Sequence, residues 1–453
     1  MNKGIIISYV LVFGAIFLLL LSSLLGFVLL QLRQANQKVS WHEALQAAEA
    51  GINYYRWCLN NEVEDNCFLE KDYFDVDGNL IGHFSLERSL QENCGQSVQN
   101  IITSTGQTAK YPEIKRKVRV IYAKPSVAQL SYVLNDNVWI GSDHEIRGPY
   151  HSNGGIRMDG ENQSMVTSAK ETWTCTQSFG CNPSQEKPGV FTTANGDENL
   201  FDFPVPPFNF EGLAIDLSQM KTVSQASGIY LPPSVTLDPL ADGYHLKFKN
   251  DGSVEVWLIT NLSSTYAYSL EENWHYDYFT ISNEYLYNTY SVPFACSAIF
   301  IEDNIWAEGQ VKGKITVASA NLIDANLDTS VVLPGFIEYT TLDGSDGLVL
   351  LGEKNILIGP QSPNNMELRG IFIAQKGRFS RNHYPSNIKD KLEISGSIIS
   401  NGRVGTQWTS GGQIVSGYLE RESYFDSNLI YNPPPFVPYT DPEFKIIDWE
   451  EIE

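Results

Sequence analysis

The chain has 453 residues, 42% of them hydrophobic, which suits two or three domains with real cores. Its formal net charge of −22, with no Lys/Arg-rich run, argues against a nucleic-acid partner, because a phosphate backbone needs a cationic surface. Tyr and Phe dominate an aromatic content of 12%, and with abundant Gly, Asn and Ser this composition points to an extracellular β-rich surface.

Residues Ile5 to Leu32 carry no charge. As a helix rising about 1.5 Å per residue they would reach ~40 Å, more than the ~30 Å hydrocarbon core of a bilayer. A cleaved secretory signal would have a shorter apolar region followed by an A-x-A-like site. Here the apolar run instead continues through Leu29-Leu30-Gln31-Leu32 into an amphipathic stretch. A retained single-pass anchor with an exported remainder is expected.

The leader Met1-Asn2-Lys3-Gly4, followed directly by the apolar run, resembles the type III signal sequences of pilins. That resemblance implies cleavage by a prepilin peptidase between Gly4 and Ile5. Major pilins carry a Glu at the fifth mature position, tied to packing into the filament. Here that position is Tyr9.

The helix should not stop at the membrane. Leu45, Ala48, Ile52 and Tyr55 recur at helical spacing, and no Pro occurs before Pro112. One helix from about Ile5 to Leu59 would be ~80 Å long. The Ala47-Ala48-Glu49-Ala50-Gly51 string with its following aromatics resembles PilX-type pilus assembly proteins. Short β-like runs follow, at 82–87, 98–106 and 115–122, the last strictly alternating. Residues 33–124 therefore read as a pilin-like α+β module. Within it, Asp75-Val76-Asp77-Gly78-Asn79 has the start of a Ca²⁺ loop, but the twelfth position is Leu86, not an acid. A hairpin turn is the expected use.

From about Ser126 the texture changes to short β-branched runs closed by Gly, as at 298–320, 348–359, 368–379 and 392–402. These read as rungs of a parallel β-helix, whose coils must stack to bury their apolar faces. An antiparallel sandwich is the alternative. Between an early β-helix-like part, 126–202, and later rungs, 297–420, an insert at 203–296 is expected. It should hold a helix near Leu213–Lys221 and a hairpin, 244–258, that turns at Asn250-Asp251-Gly252-Ser253. Residues 421–453 read as an extended Pro-rich segment. The expected fold is thus mainly β with a long N-terminal helix: leader 1–4, transmembrane helix 5–32, a pilin-like α+β module, then a parallel β-helix-like domain carrying an α+β insert.

Three stretches together resemble the PilX-type family: the string from His151 to Gly160, Trp306-x-Glu308-Gly309, and the closing region from Tyr431-Asn432-Pro433-Pro434-Pro435-Phe436 through Trp449-Glu450. The resemblance runs over nearly the whole chain and implies a type IV pilus-associated minor pilin, active in pilus assembly or adhesion. Its implied partners are the membrane, other pilin-like subunits with the assembly machinery, and prepilin peptidase.

Chemistry is sparse. His151 and Ser152, with Asp143 and His144 nearby, form the best catalytic candidate, but strand neighbours point to opposite faces and no Gly-x-Ser-x-Gly elbow frames the serine. Corner hydrogen bonding is the expected role. No spacing reads as a metal site and no cofactor is expected. β-Helices can host polysaccharide-cleaving enzymes, which need paired carboxylates in one groove; Glu302-Asp303, Glu308 and Asp324 are the candidates. Trp274-His275-Tyr276-Asp277-Tyr278 could stack on surface glycans. A non-enzymatic role is the leading expectation.

All six cysteines, Cys58, Cys67, Cys94, Cys175, Cys181 and Cys296, follow the anchor. Cys175 and Cys181 enclose a short loop with Phe179-Gly180 and are the first expected disulfide. A bridge among Cys58, Cys67 and Cys94 would tie down the helix end or its following loop. Cys296 is expected to be buried and free.

Overall fold

The computed structural model describes residues 3–61, 67–212, 214–324 and 326–452. The chain is mainly β with one long N-terminal helix and divides into two compact units. The first comprises residues 1–90, 100–123 and 443–453; the second comprises 91–99 and 124–442.

In the first unit one helix runs without a break over Lys3–Asn60. From Ile6 to Leu32 its large apolar side chains are exposed on every side. Farther along, Ala48, Ile52, Tyr55 and Leu59 are buried against Phe84, Ile102, Val118 and Val120 of a sheet. That sheet has the order Glu70–Phe74, Leu80–Asn93, Gln96–Thr108, Lys115–Ala123, Lys445–Ile452. The alanines let helix and sheet approach closely. A Cβ on Gly106 would lie 2.1 Å from the Ala44 carbonyl oxygen, and one on Gly51 would lie 2.4 Å from Ser104 Oγ. The Tyr122 hydroxyl donates to the Ile52 carbonyl at 2.7 Å. Asp75 leads a turn: its Oδ1 accepts the backbone N–H groups of Asp77 and Asn79 at 3.0 and 2.8 Å, and Gly78 takes φ +84°.

The last strand corrects one boundary. Residues 421–453 are not one extended segment. Arg421 to Tyr424 finish strand Gln413–Tyr424, Asn428–Tyr431 is a helical turn, and Lys445–Ile452 pairs antiparallel with Lys115–Ala123. Trp449 lies opposite Val120 there, and Arg116 pairs with Glu451. The module 33–124 therefore needs the distant C-terminus to complete its sheet, and it gives residues 91–99 to the second unit.

The second unit is a parallel β-helix. One column of stacked, parallel positions runs Ile229, Ile299, Val317, Leu350, Phe372, Ile398, Tyr132, Tyr150, Val166, Phe201. The spatial order is a permutation of the chain order. The coils of 132–202, expected to begin the stack, lie beyond its last rungs, because Tyr132–Leu134 pairs with residues 398–400. The column is buried on both faces. Inward, Ile301, Val317 and Leu350 share one core. On the other side Phe300, Leu351 and Ile373 are covered by Leu217 and Met220 and by Leu429, Phe436 and Val437. Burial on both faces explains the continuous apolar runs, which a half-exposed strand would interrupt. Gly370 and Gly396 stack at one corner with φ +150° and +137°; a Cβ on Gly396 would lie 1.9 Å from the Gly370 carbonyl oxygen.

The expected insert, 203–296, is also revised. Ile229–Leu231 and Gly243–Phe248 pair in parallel with Ala298–Ile301 and Ile305–Val311, so they are coils of the stack. The long hairpin of Ser253–Ser269 and Asn273–Ser291 departs from it, as does one helix. The helix spans Leu217–Ser227, N-capped by Asp216, whose Oδ1 accepts Gln219 N–H at 2.9 Å. Leu213, the expected start, lies outside the described residues. The expected turn closes the shorter hairpin, with Gly252 at φ +90°.

Candidate functional site

His151 sits on the outer side of the main column, in register with Val133 and Thr167. Its Nδ1 lies 2.8 Å from Thr167 Oγ1, its Nε2 lies 3.0 Å from Asn153 Oδ1, and the Phe208 ring packs edge-on against it. Burial lowers its pKa, so the imidazole is held neutral. Ser152 points the other way and donates to the Asp136 carbonyl at 2.7 Å while accepting Gly154 N–H at 3.0 Å. That hydroxyl is committed to the corner and has no base beside it. Asp143 is held by Arg421 through two bonds of 2.9 Å, and His144 meets Ser423 at 2.8 Å. The four candidate residues do not form one catalytic group.

The carboxylates proposed for a cleaving groove are likewise taken singly. Glu302 is buried; it pairs with Lys221 and accepts Leu322 N–H at 3.0 Å. Asp303 accepts the Ser234 hydroxyl at 2.6 Å. Glu308 lies 3.2 Å from His245, and Asp324 closes a turn onto Asn326.

A different carboxylate array does form. Glu367, Glu393, Glu422, Glu145 and Glu161 occupy one in-register column on another face of the stack. Neighbouring strands lie about 4.8 Å apart, so bare charges would repel strongly. Cations between them relieve this: Arg369 pairs with Glu367, Lys391 with both Glu393 and Glu422, and Arg147 with Glu145. The Lys391 ammonium and the Tyr424 hydroxyl hold Glu422 below the usual carboxylate range. The charge-paired ladder is invisible to a linear reading, because residues 145 and 161 join it only through the permuted stack. Among the described residues no cluster of His, Cys, Asp and Glu is placed to hold a metal.

The long hairpin carries the most distinctive surface. Its outer half folds over the stack and is fixed by two backbone hydrogen bonds of 2.9 Å between Tyr268 and His383. Beneath it, Asp277 accepts Asn382 Nδ2 at 2.9 Å, Arg378 donates to Asn382 Oδ1 at 3.0 Å, and Arg378 pairs with Glu271 at 3.2 Å. Above it, rings form a continuous file, Tyr276, Tyr266, Trp274, Tyr268, Trp408 and His383, with neighbouring centroids 5.0 to 5.9 Å apart, which closes on itself where His383 meets Trp274 edge-on at 5.4 Å. Tyr266 and Trp274 are stacked at 11°. Trp274 is 51% exposed and Tyr276 61%. The sequence singled out Trp274 to Tyr278; Tyr266, Tyr268, His383 and Trp408 were not legible as its neighbours.

Six cysteines form three disulfides, Cys58–Cys67, Cys94–Cys296 and Cys175–Cys181. Cys296 is therefore not free: the 91–99 segment brings Cys94 to it inside the second unit. Gly4 and Ile5 lie within the span of the long helix, and Met1 and Asn2 lie outside the described residues. Among the described residues one helix is, by length and composition, long and apolar enough to cross a membrane.

No protein-family model matches the chain, and no curated protein matches it. Among solved structures it is similar to the competence-associated pilin ComZ from Thermus thermophilus, at 12% identity and a TM-score of 0.34. That likeness covers 91% of this chain and 98% of the other. At this level of similarity it carries no argument about function.

Proposed function

We propose that this chain is a membrane-anchored, minor-pilin-like subunit of a type IV pilus system, of the PilX type, that presents its β-helix outside the membrane for assembly or adhesion and has no catalytic activity. One observation carries this reading: a single helix is apolar and bare for its first half and packs through small residues onto an antiparallel sheet in its second. A helix so exposed needs lipid or neighbouring helices around it. Three disulfides suit an oxidising compartment beyond the membrane. Prepilin peptidase is the partner for cleavage between Gly4 and Ile5, and other pilin-like subunits are partners for the exposed helix.

Intact-mass measurement on protein purified from its native membrane tests the processing; a new N-terminus at Ile5 is expected. Copurification with sheared surface filaments tests assembly. Retention of Met1, or cleavage beyond Leu32, would sink the pilin reading.

A further inference from the structure

We infer that the aromatic file on the long hairpin is a binding platform for an uncharged polysaccharide. This deepens the adhesive reading above and rests on it only for where the ligand is met.

The geometry carries the proposal. The rings are not scattered. They run across both strands of the hairpin, then the 383 segment, then strand Gln407–Ser410. Each is fixed by its neighbour, and the Trp408 indole is fixed further because Nε1 donates to the Arg381 carbonyl at 2.8 Å. Leaving half of Trp274 and more than half of Tyr276 in water forgoes apolar burial, a cost that a binding surface recovers when occupied. Rings already ordered lose little entropy on binding.

Its exposed members, Tyr266, Trp274 and Tyr276, lie on open surface, which fits an extended chain better than a small molecule, since the latter would need a concave pocket. The C–H faces of sugar rings are flat and apolar, while their edges carry hydroxyls. The half-exposed rings of Tyr266, Trp274 and Tyr276 offer aromatic surface to such faces. Charge selects the class. Arg378 and Arg381, on the segment that carries His383, are both buried and turned toward protein partners. Glu271 and Glu272 stand at the hairpin tip. An acidic glycan would find no open cation on that segment and would meet like charge at the tip.

The test uses the full chain in detergent micelles, with retention measured on suspended cellulose and chitin and on polygalacturonate as the acidic control. Retention on at least one neutral polymer and none on polygalacturonate is expected. Trp274→Ala combined with Tyr276→Ala should weaken retention at least tenfold, while Trp274→Phe should keep most of it. Both sites are half-exposed, so the double variant should fold. Should it not, tryptophan emission gives a second measure: soluble hydroxyethylcellulose or glycol chitin should shift the emission of the unsubstituted protein. The proposal is overturned by no retention on either neutral polymer, by retention that the double variant leaves unchanged, or by a change in sedimentation instead, which would make the file a protein interface. Processing and shearing are separate measurements, so failure there leaves this outcome interpretable.

Discussion

Asn135 and Asn401 stand 266 positions apart in the chain, and Asn135 Nδ2 donates to Asn401 Oδ1 at 2.8 Å. Asn153 Nδ2 in turn donates to Asn135 Oδ1 at 2.8 Å. The three amides form a ladder down one corner of the β-helix, across the junction where the chain's early coils stack on its late ones. An amide carries both donor and acceptor, so it can pass a hydrogen bond from rung to rung where a carboxylate cannot.

Replacing Asn135 therefore tests the permuted junction. Asn135→Ala should cost about 1 kcal/mol, since the site is exposed and water can replace the lost partners. Asn135→Asp should cost more at neutral pH, because an acceptor-only carboxylate would face Asn401 Oδ1. Denaturant midpoints of the two variants provide the comparison. Equal, negligible effects would mean the junction is not ordered by this ladder.

Core charge gives a harsher test of the same stack. Ile315 and Ile398 are both buried, the second directly at the junction opposite Tyr132. Ile315→Asp and Ile398→Asp should each cost more than about 4 kcal/mol or prevent folding, because an unpaired carboxylate would enter an apolar column. Ile323→Asp, at a position 63% exposed, should stay within roughly 0.5 kcal/mol. An antiparallel sandwich would not single out these positions in this way.

The contrast between these residues shows where linear reading succeeds. The helix was legible because Ala48, Ile52 and Tyr55 repeat at a period that the chain itself sets. Rungs such as Val349 to Leu351 were legible as buried strands. Their order was not, since stacking leaves no local signature: nothing near Tyr132 says that it will meet Ile398. The same gap hid the glutamate ladder and the partners of Trp274. Cys296 was misjudged for a related reason, as its partner Cys94 comes from a segment assigned to another domain.

That disulfide closes a loop of 202 residues. In the chain-entropy description such a closure restrains the unfolded chain by about 5 kcal/mol, against roughly 2–3 kcal/mol for the six-residue separation of Cys175 and Cys181. Cys94→Ser with Cys296→Ser should lower the unfolding midpoint of the second unit more than Cys175→Ser with Cys181→Ser. Calorimetry under matched conditions decides; the reverse ranking would show that strain or residual structure outweighs loop length here.

The anchor makes a simpler prediction. A chain beginning at Gln34 lacks the apolar span and should stay in solution without detergent, because the remainder keeps a strong net negative charge. It should cleave no polysaccharide. Release of reducing ends or unsaturated sugars that Glu308→Gln abolishes would replace the non-enzymatic reading with a catalytic one.

The last prediction concerns pH. His245 lies between two carboxylates: Nδ1 is 2.7 Å from Glu284 Oε2 and Nε2 is 3.2 Å from Glu308 Oε1. Lys247 also pairs with Glu284, at 2.7 Å, and lies over the Trp257 ring. Burial opposes charge on the imidazole, but bonds to Glu284 and Glu308 outweigh it and raise its pKa above the ordinary value. For Glu284, burial is outweighed by bonds from His245 and Lys247, which lower its pKa. The two shifts give opposite dependences. The histidine contribution is complete below its unfolded value, about 6.5, and disappears as pH rises through the higher folded value. The Glu284 contribution is complete above its unfolded value and disappears as pH falls through the lower folded one. The His245 contribution should therefore be lost as pH rises above about 6.5, because the imidazolium that links the hairpin, through Glu284, to the stack, through Glu308, gives up its proton. His144, His151 and His383, whose pKa values burial lowers, act with the opposite sign, so the contribution is read as a difference between two proteins. His245→Gln should melt below the unsubstituted protein at pH 6, and the gap between the two should narrow as pH rises. A gap that does not change with pH would assign the titration to another group.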